Sequence, residues 1–222
     1  MGGDNAFLRL VVQPDITTYE DLRGKTLSVD ALTTGFAFVL KHMLAANGLE
    51  EGDYELVSAG GVMQRFQKLQ AGEHAGTLLL TPFELMAENA GLRTLQSAID
   101  TIPAYQGIVG AARRSWAAAN PGLLVDFISA YRKGLAWLFD PANRVAADEL
   151  LAQKLPNLPG PIRQETLAIF LDPETGFEPR AMLDAEGVRQ VMDIRSRFAE
   201  GTTQLDDASQ YYNLEYYNRA AP

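Results

Sequence analysis

Cysteine is absent from all 222 residues, which removes thiol nucleophiles, thiolate zinc sites, iron–sulfur clusters and disulfide scaffolding together. Histidine is nearly as scarce. His42 and His74 stand far apart, without the spacing that puts two imidazoles on one metal, so surface or core roles are expected for both. No stretch reaches the roughly eighteen apolar residues of a membrane-spanning helix, because Lys41 and His42 interrupt Phe36–Leu44. The opening Met1-Gly2-Gly3-Asp4-Asn5 lacks the basic and apolar parts of an export signal, so any such signal is expected to have been removed or never included. Basic residues are the minority: 19 Lys and Arg against 28 Asp and Glu leave a net charge of -9. That balance repels phosphate backbones and anionic lipid surfaces and argues against nucleic acid as a partner. The nucleophile elbow, the phosphate-binding loop and the dinucleotide fingerprint are all missing, so no cofactor and no catalysis are expected. Acidic pairs such as Glu50-Glu51 and Asp206-Asp207 fall in turns, where solvated charge is the default.

What remains is 47% hydrophobic, enough for a substantial core in one large domain or two small lobes. Phe7–Val12 is rich in strand-formers and stops at Pro14-Asp15. Three strand–loop–helix units follow. Thr26–Val29 leads through Asp30 to a helix carrying Phe36, Leu40, Met43 and Leu44, which stops at Asn47-Gly48. Tyr54–Val57 leads through Gly60-Gly61 to a helix with Val62, Phe66 and Leu69, and Thr77–Leu80 leads through Thr81-Pro82 to a helix over Phe83–Asn89. Strands alternating with helices predict an α/β class with a parallel sheet. Ile108–Ala111 reads as a strand able to cross between lobes. Beyond it the pattern turns helical, with a long amphipathic helix after Asn120-Pro121, another after Asp140-Pro141, and two more over Ile162–Leu171 and Asp184–Phe198. Trp116 and Trp137 are expected as core anchors.

In an open parallel sheet, ligands bind outside the carboxyl ends of the strands, where helix amino termini point. Asp30–Gly35, Ala59–Gly61 and Thr81–Phe83 are three such loops, each with free backbone amides suited to an anion. Thr33, Thr34 and Gly35 add hydroxyls and an open backbone, though an ordinary helix cap uses the same residues. Tyr105 and Gln106 offer an aromatic wall and an amide, or else a buried tyrosine with a satisfied hydroxyl. Arg65, on the helix after Gly60-Gly61, is a weaker candidate, because a helical arginine is more often solvent-exposed.

Ile16 with Asp21-Leu22-Arg23-Gly24-Lys25-Thr26, then Val29-Asp30, Thr34-Gly35, Gly48-Leu49, Gly60-Gly61, Arg65, Leu69-Gln70-Ala71-Gly72, Pro82, Tyr105-Gln106-Gly107 and Trp137-Leu138 with Asp140-Pro141 come in a telling order. In that order they resemble the nitrate/sulfonate/taurine group of periplasmic binding proteins, which includes binders of thiamine-pyrimidine precursors. The resemblance implies a type II periplasmic-binding-protein-like fold in which two lobes close on a small, anionic or heteroaromatic organic solute and present it to an ABC permease. It implies an α/β ligand-binding lobe over 24–105, with 1–23 and 106–222 forming the hinge and a helix-rich second lobe. By position, the ligand-binding residues are Asp30, Thr33, Thr34, Gly35, Gly60, Gly61, Thr81, Tyr105 and Gln106. Members of the group carry an opening segment before the strand that here begins at Phe7. An incomplete lobe is then expected to expose apolar helix faces and a sheet edge, and to associate into a homodimer. A metabolite-sensing domain and a pyrimidine-synthase-like enzyme are the alternative roles on this scaffold.

Overall fold

The computed structural model describes residues 1–199, 201 and 204–221. Its strands are β1 (Gly2–Asp4), β2 (Leu8–Val12), β3 (Thr26–Val29), β4 (Glu55–Ser58), β5 (Gly76–Leu80), β6 (Arg93–Ser97) and β7 (Ile108–Val109). Its helices are α1 (Gly35–Ala46), α2 (Val62–Gln70), α3 (Phe83–Asn89), α4 (Ala98–Thr101), α5 (Arg114–Ala119), α6 (Pro121–Phe139), α7 (Arg144–Lys154), α8 (Gly160–Phe170), α9 (Ala185–Phe198) and α10 (Glu215–Arg219). Two compact units emerge. A sheet unit comprises Phe7–Tyr105 and Arg189–Leu205, and a helical unit comprises Met1–Ala6, Gln106–Val188 and Asp206–Pro222.

The sheet unit is built on five strands in the order β4-β3-β5-β2-β6. The three strands read from the strand–loop–helix grammar are parallel, with Ser28 level with Val57 on one side and Thr77 on the other. β2 inserts antiparallel beside β5, pairing Leu8 with Leu80 and Val12 with Gly76, and β6 pairs antiparallel with β2. Leu27–Val29 and Gly76–Leu79 are buried without alternation, as central strands covered on both faces should be. Gly76 is required by close approach: a Cβ there would sit 2.9 Å from Val12 Cγ1 and 3.0 Å from Leu27 Cδ2. One face is covered by α2 and α3, whose Phe66, Leu69 and Ala87 pack with Val11 and Leu79. α1 buries Phe38, Val39, Leu40, Met43 and Leu44.

This arrangement moves the expected boundary at residue 24. Residues 7–23 belong with the sheet, because β2 takes hydrogen bonds from two neighbours that lie far away in sequence. β6 is not visible in sequence either; its half-exposed Arg-Thr-Leu-Gln-Ser carries no apolar run.

In the helical unit, β1 and β7 form a two-stranded antiparallel pair. Ile128, Leu135, Ala181, Tyr217 and Ala220 form its core, with Met1, Tyr131 and Phe177 packed against them. Arg132 lies 5.0 Å over the Tyr217 ring and donates to the Ala220 carbonyl at 2.9 Å, which fastens the tyrosine-rich tail to α6. Trp116 and Trp137 are not core anchors: they stay 43% and 40% exposed, because α5 and α6 bury only Ala117, Ile128 and Leu135.

Candidate functional site

Because β3, β4 and β5 run parallel, their carboxyl ends and the loops after them share one edge of the sheet, joined by the start of antiparallel β2. Asp30 follows β3, Ala59–Gly61 follow β4 and Thr81 follows β5, so the register gathers on one rim the three loops to which the strand–loop–helix grammar points.

Asp30 organises this rim. Its carboxylate accepts from the Thr34 hydroxyl at 2.6 Å, and its backbone carbonyl accepts from the Ser58 hydroxyl at 2.8 Å, which ties the β3 loop to the end of β4. Thr34 is also the cap of α1, accepting from the Ala37 amide at 3.2 Å. The Gly35 and Phe36 amides of the first turn are thereby left without intrahelical partners. Thr33 and Gly35 are exposed, and the Tyr105 hydroxyl lies 3.7 Å from where a Gly35 Cβ would stand. Burial pushes the Tyr105 phenol up to about 12, so it acts as a neutral hydroxyl.

Gly60 takes a φ of 83°, a conformation that suits glycine, and Gly61 caps α2. Beneath that loop lies Arg65, only 2% exposed, contrary to the solvent-facing position expected of it. Its guanidinium donates to the Gly60 carbonyl at 2.8 Å and to the Leu78 carbonyl at 3.2 Å, and it forms no ion pair among the described residues. Burial lowers its pKa, and the charge of Asp30 acts in the opposite direction. A signal was present: Arg65 stands three residues after Val62 and four before Leu69, on the buried stripe of α2.

Thr81 is buried, and its hydroxyl donates to Glu84 Oε1 in the first turn of α3. Glu84 is itself buried, and its Oε2 has no hydrogen-bond partner. Burial raises its pKa, opposed by the Thr81 hydrogen bond and the charge of Arg9. In sequence it stands three residues after Thr81, the S/T-x-x-E spacing of a helix start. Gln106 belongs to the helical unit, where its Nε2 donates to the Ile108 carbonyl at 2.8 Å and its Oε1 accepts from the Asp184 amide at 2.8 Å. Its amide therefore has structural partners at both ends.

A separate cavity of about 690 Å3 lies along the edge strand of the sheet unit, walled by Leu32, Phe38, Tyr54, Leu56 and Phe198. Of the ligand-binding residues expected from sequence, it touches Thr33 alone. Among the described residues no three His, Cys, Asp or Glu side chains group as metal ligands, and no helix is long and apolar enough to cross a membrane.

The family model described as NMT1/THI5 like matches residues 4–143. No curated protein matches the chain. Among solved structures, the chain is similar to the periplasmic sulfonate-binding protein SsuA of a sulfonate ABC transporter from Methylobacillus flagellatus KT. The two share 19% identity at a TM-score of 0.70, over 96% of this chain and 64% of that one. It is similar to the alkanesulfonate-binding protein SsuA from Xanthomonas axonopodis pv. citri bound to MOPS, with 18% identity and a TM-score of 0.68 over 86% and 64% of the two chains. The desulfurization enzyme DSZB shares 15% identity at a TM-score of 0.58, over 98% of this chain and 76% of that one. The chain thus spans 64% of the length of the two sulfonate-binding proteins, and its fold is the periplasmic-binding-protein fold.

Proposed function

From a chain that belongs to the NMT1/THI5-like family, we infer a solute-binding component of an ABC importer that holds a small organic anion at the rim of its sheet unit. The observation that carries this reading is the buried Arg65. Among the described residues its guanidinium is held by backbone carbonyls alone, which leaves a positive charge under the Gly60-Gly61 loop, on the rim where α1 and α2 begin. Together they favour a negative group that accepts hydrogen bonds at the rim. By holding the Gly60 carbonyl, Arg65 also fixes the loop before the anion arrives. Asp30, Thr33, Thr34, Gly35, Gly60, Gly61, Thr81 and Tyr105 are assigned to this site, whereas Gln106 keeps its partners within the helical unit. The likeness to sulfonate-binding proteins supports an organosulfonate or related anion as the solute class, a periplasmic location, and a permease as partner.

Thermal unfolding in the presence of alkanesulfonates, arenesulfonates and carboxylates tests the reading. A bound solute at about a hundredfold its Kd should raise Tm by about 5 °C or more. Arg65→Lys loses the two-pronged hold on Gly60 and Leu78, and Thr34→Val loses a rim hydroxyl; each is expected to weaken binding tenfold or more, about 1.4 kcal/mol. Flat melting temperatures across every anion, from protein that is folded by circular dichroism, would overturn it.

The likeness to DSZB favours catalysis as a second reading. The absence of cysteine leaves this chain without a thiol nucleophile, which weighs against it. Turnover of biphenyl-2-sulfinic acid by the purified protein, abolished by one side-chain substitution, would establish it.

A further inference from the structure

Within the sheet unit, the loop after β5 leads straight into a buried carboxyl whose hydrogen bonds are incomplete. Glu84, in the first turn of α3, is only 2% exposed. Its Oε1 accepts from the Thr81 hydroxyl, while its Oε2 has no partner among the described residues. A carboxylate buried in this way lacks the donors that would offset its charge, and its neutral acid form is favoured. α3 packs against α2, β5, β6 and β2. Of these, α2 carries Arg65 and Lys68, β6 carries Arg93, β2 carries Arg9, and β5 carries no charged side chain. Arg9 acts on Glu84 by charge, as does Glu88 from α3 itself. Arg65 is bound to the Gly60 and Leu78 carbonyls, and Arg93 is exposed. Asp30 acts on Arg65 as Arg9 acts on Glu84, so two arginines stand against two carboxyls. With both carboxyls ionised, these four side chains carry no net charge. With Glu84 protonated they carry one positive charge, the sign that an anion at the rim needs.

On the footing that this rim holds a small organic anion, we propose that Glu84 makes the site proton-linked: the solute is held together with a proton on Glu84, so that capture takes up a proton and release returns it. Glu84 need not touch the solute. Thr81, to which it is bonded, stands three residues along the chain from Leu78, whose carbonyl holds Arg65; that is about 10 Å at the rise of a strand. At such a separation, with an effective dielectric near 20, one unit of charge changes affinity by about tenfold. Affinity should therefore be level while Glu84 is protonated in the free protein, fall as pH rises through its folded pKa, and level off about tenfold weaker once the solute-bound protein also loses that proton.

Calorimetric titration of the full chain with butanesulfonate and benzenesulfonate, whose own charge is constant across the range, tests this from about pH 5 to about pH 8. Affinity should drop about tenfold over that range, and the binding heat should differ between buffers of different ionisation enthalpy by an amount that reports proton uptake. Glu84→Gln keeps an acceptor for the Thr81 hydroxyl without the charge, and should bind at every pH as tightly as the parent does in acid. Arg9→Gln removes the cation that opposes protonation, and should move the fall in affinity to higher pH. His42 and His74 lie outside the elements packed on α3, and Glu84→Gln leaves them in place, so a slope that survives in this variant belongs elsewhere than Glu84. Affinity independent of pH, binding without proton uptake, or a slope retained by Glu84→Gln would overturn this inference and leave the anion site standing. Failure of both sulfonates to bind parent and Glu84→Gln at any pH would overturn the two together.

Discussion

In the sheet unit, Leu27–Val29 and Gly76–Leu79 are buried without exception, whereas α6 of the helical unit, running from Pro121 to Phe139, buries only Ile128 and Leu135. The difference follows from architecture. A sheet with helices on its faces hides both sides of its central strands, and its helices must then start at one rim, which is where polar loops and free amides gather. A helix packed on one side alone keeps an apolar stripe in water unless something else covers it. The first arrangement thus suits rigidity and the proposed solute site, while the second leaves apolar surface in water.

The largest effect that probes this contrast is expected at Leu10, fully buried in the middle of β2. Leu10→Ala should destabilise the sheet unit by about 2–5 kcal/mol, measured by denaturant unfolding, because it leaves a cavity among strands that cannot collapse onto it. A loss below about 1 kcal/mol would mean that residues 7–23 are an accessory to the sheet rather than part of it, and the contrast between the units would have to be redrawn.

That assignment marks where sequence reasoning reaches its limit. α1, α2 and α3 are legible because apolar residues recur at helical spacing and end at Gly48, Gly72 and Gly91, each with positive φ. The rim is legible because strand, loop and helix follow in strict succession. The place of β2 is not, since its partners β5 and β6 lie far downstream and no local signal encodes such pairing. Arg65 is misjudged when residue type is weighed above position: the stripe of Val62, Phe66 and Leu69 includes it. The tryptophans are misjudged for the converse reason, since size suggests burial while the helix that bears Trp137 has only one packed face.

A second effect separates the two units by pH. Glu84 is buried, with its pKa raised by desolvation, and Thr81, Arg9 and Glu88 are the groups that act on it. A carboxyl whose pKa is raised on folding contributes stability that is complete below its unfolded value, near 4.5, and is lost as pH rises through the folded value. Glu84→Gln removes the titration while keeping an acceptor for the Thr81 hydroxyl. The variant should therefore lose less stability than the parent as pH rises from about 4 toward neutrality, and the two curves should converge at the acid end. Parallel curves would show that Glu84 holds its charge at neutral pH, with a counter-charge closer than Arg9.

The smallest effect is expected at Phe127. In a monomer this ring is 58% exposed, so its removal takes little apolar area out of the fold. Serine and phenylalanine have similar helix propensities, so the backbone of α6 should register little change either. Phe127→Ser, measured at concentrations too dilute for association, should alter unfolding free energy by less than about 0.5 kcal/mol, far below the loss at Leu10. A core-sized cost would show that Phe127 is covered within one chain, and the contrast between the units would fall.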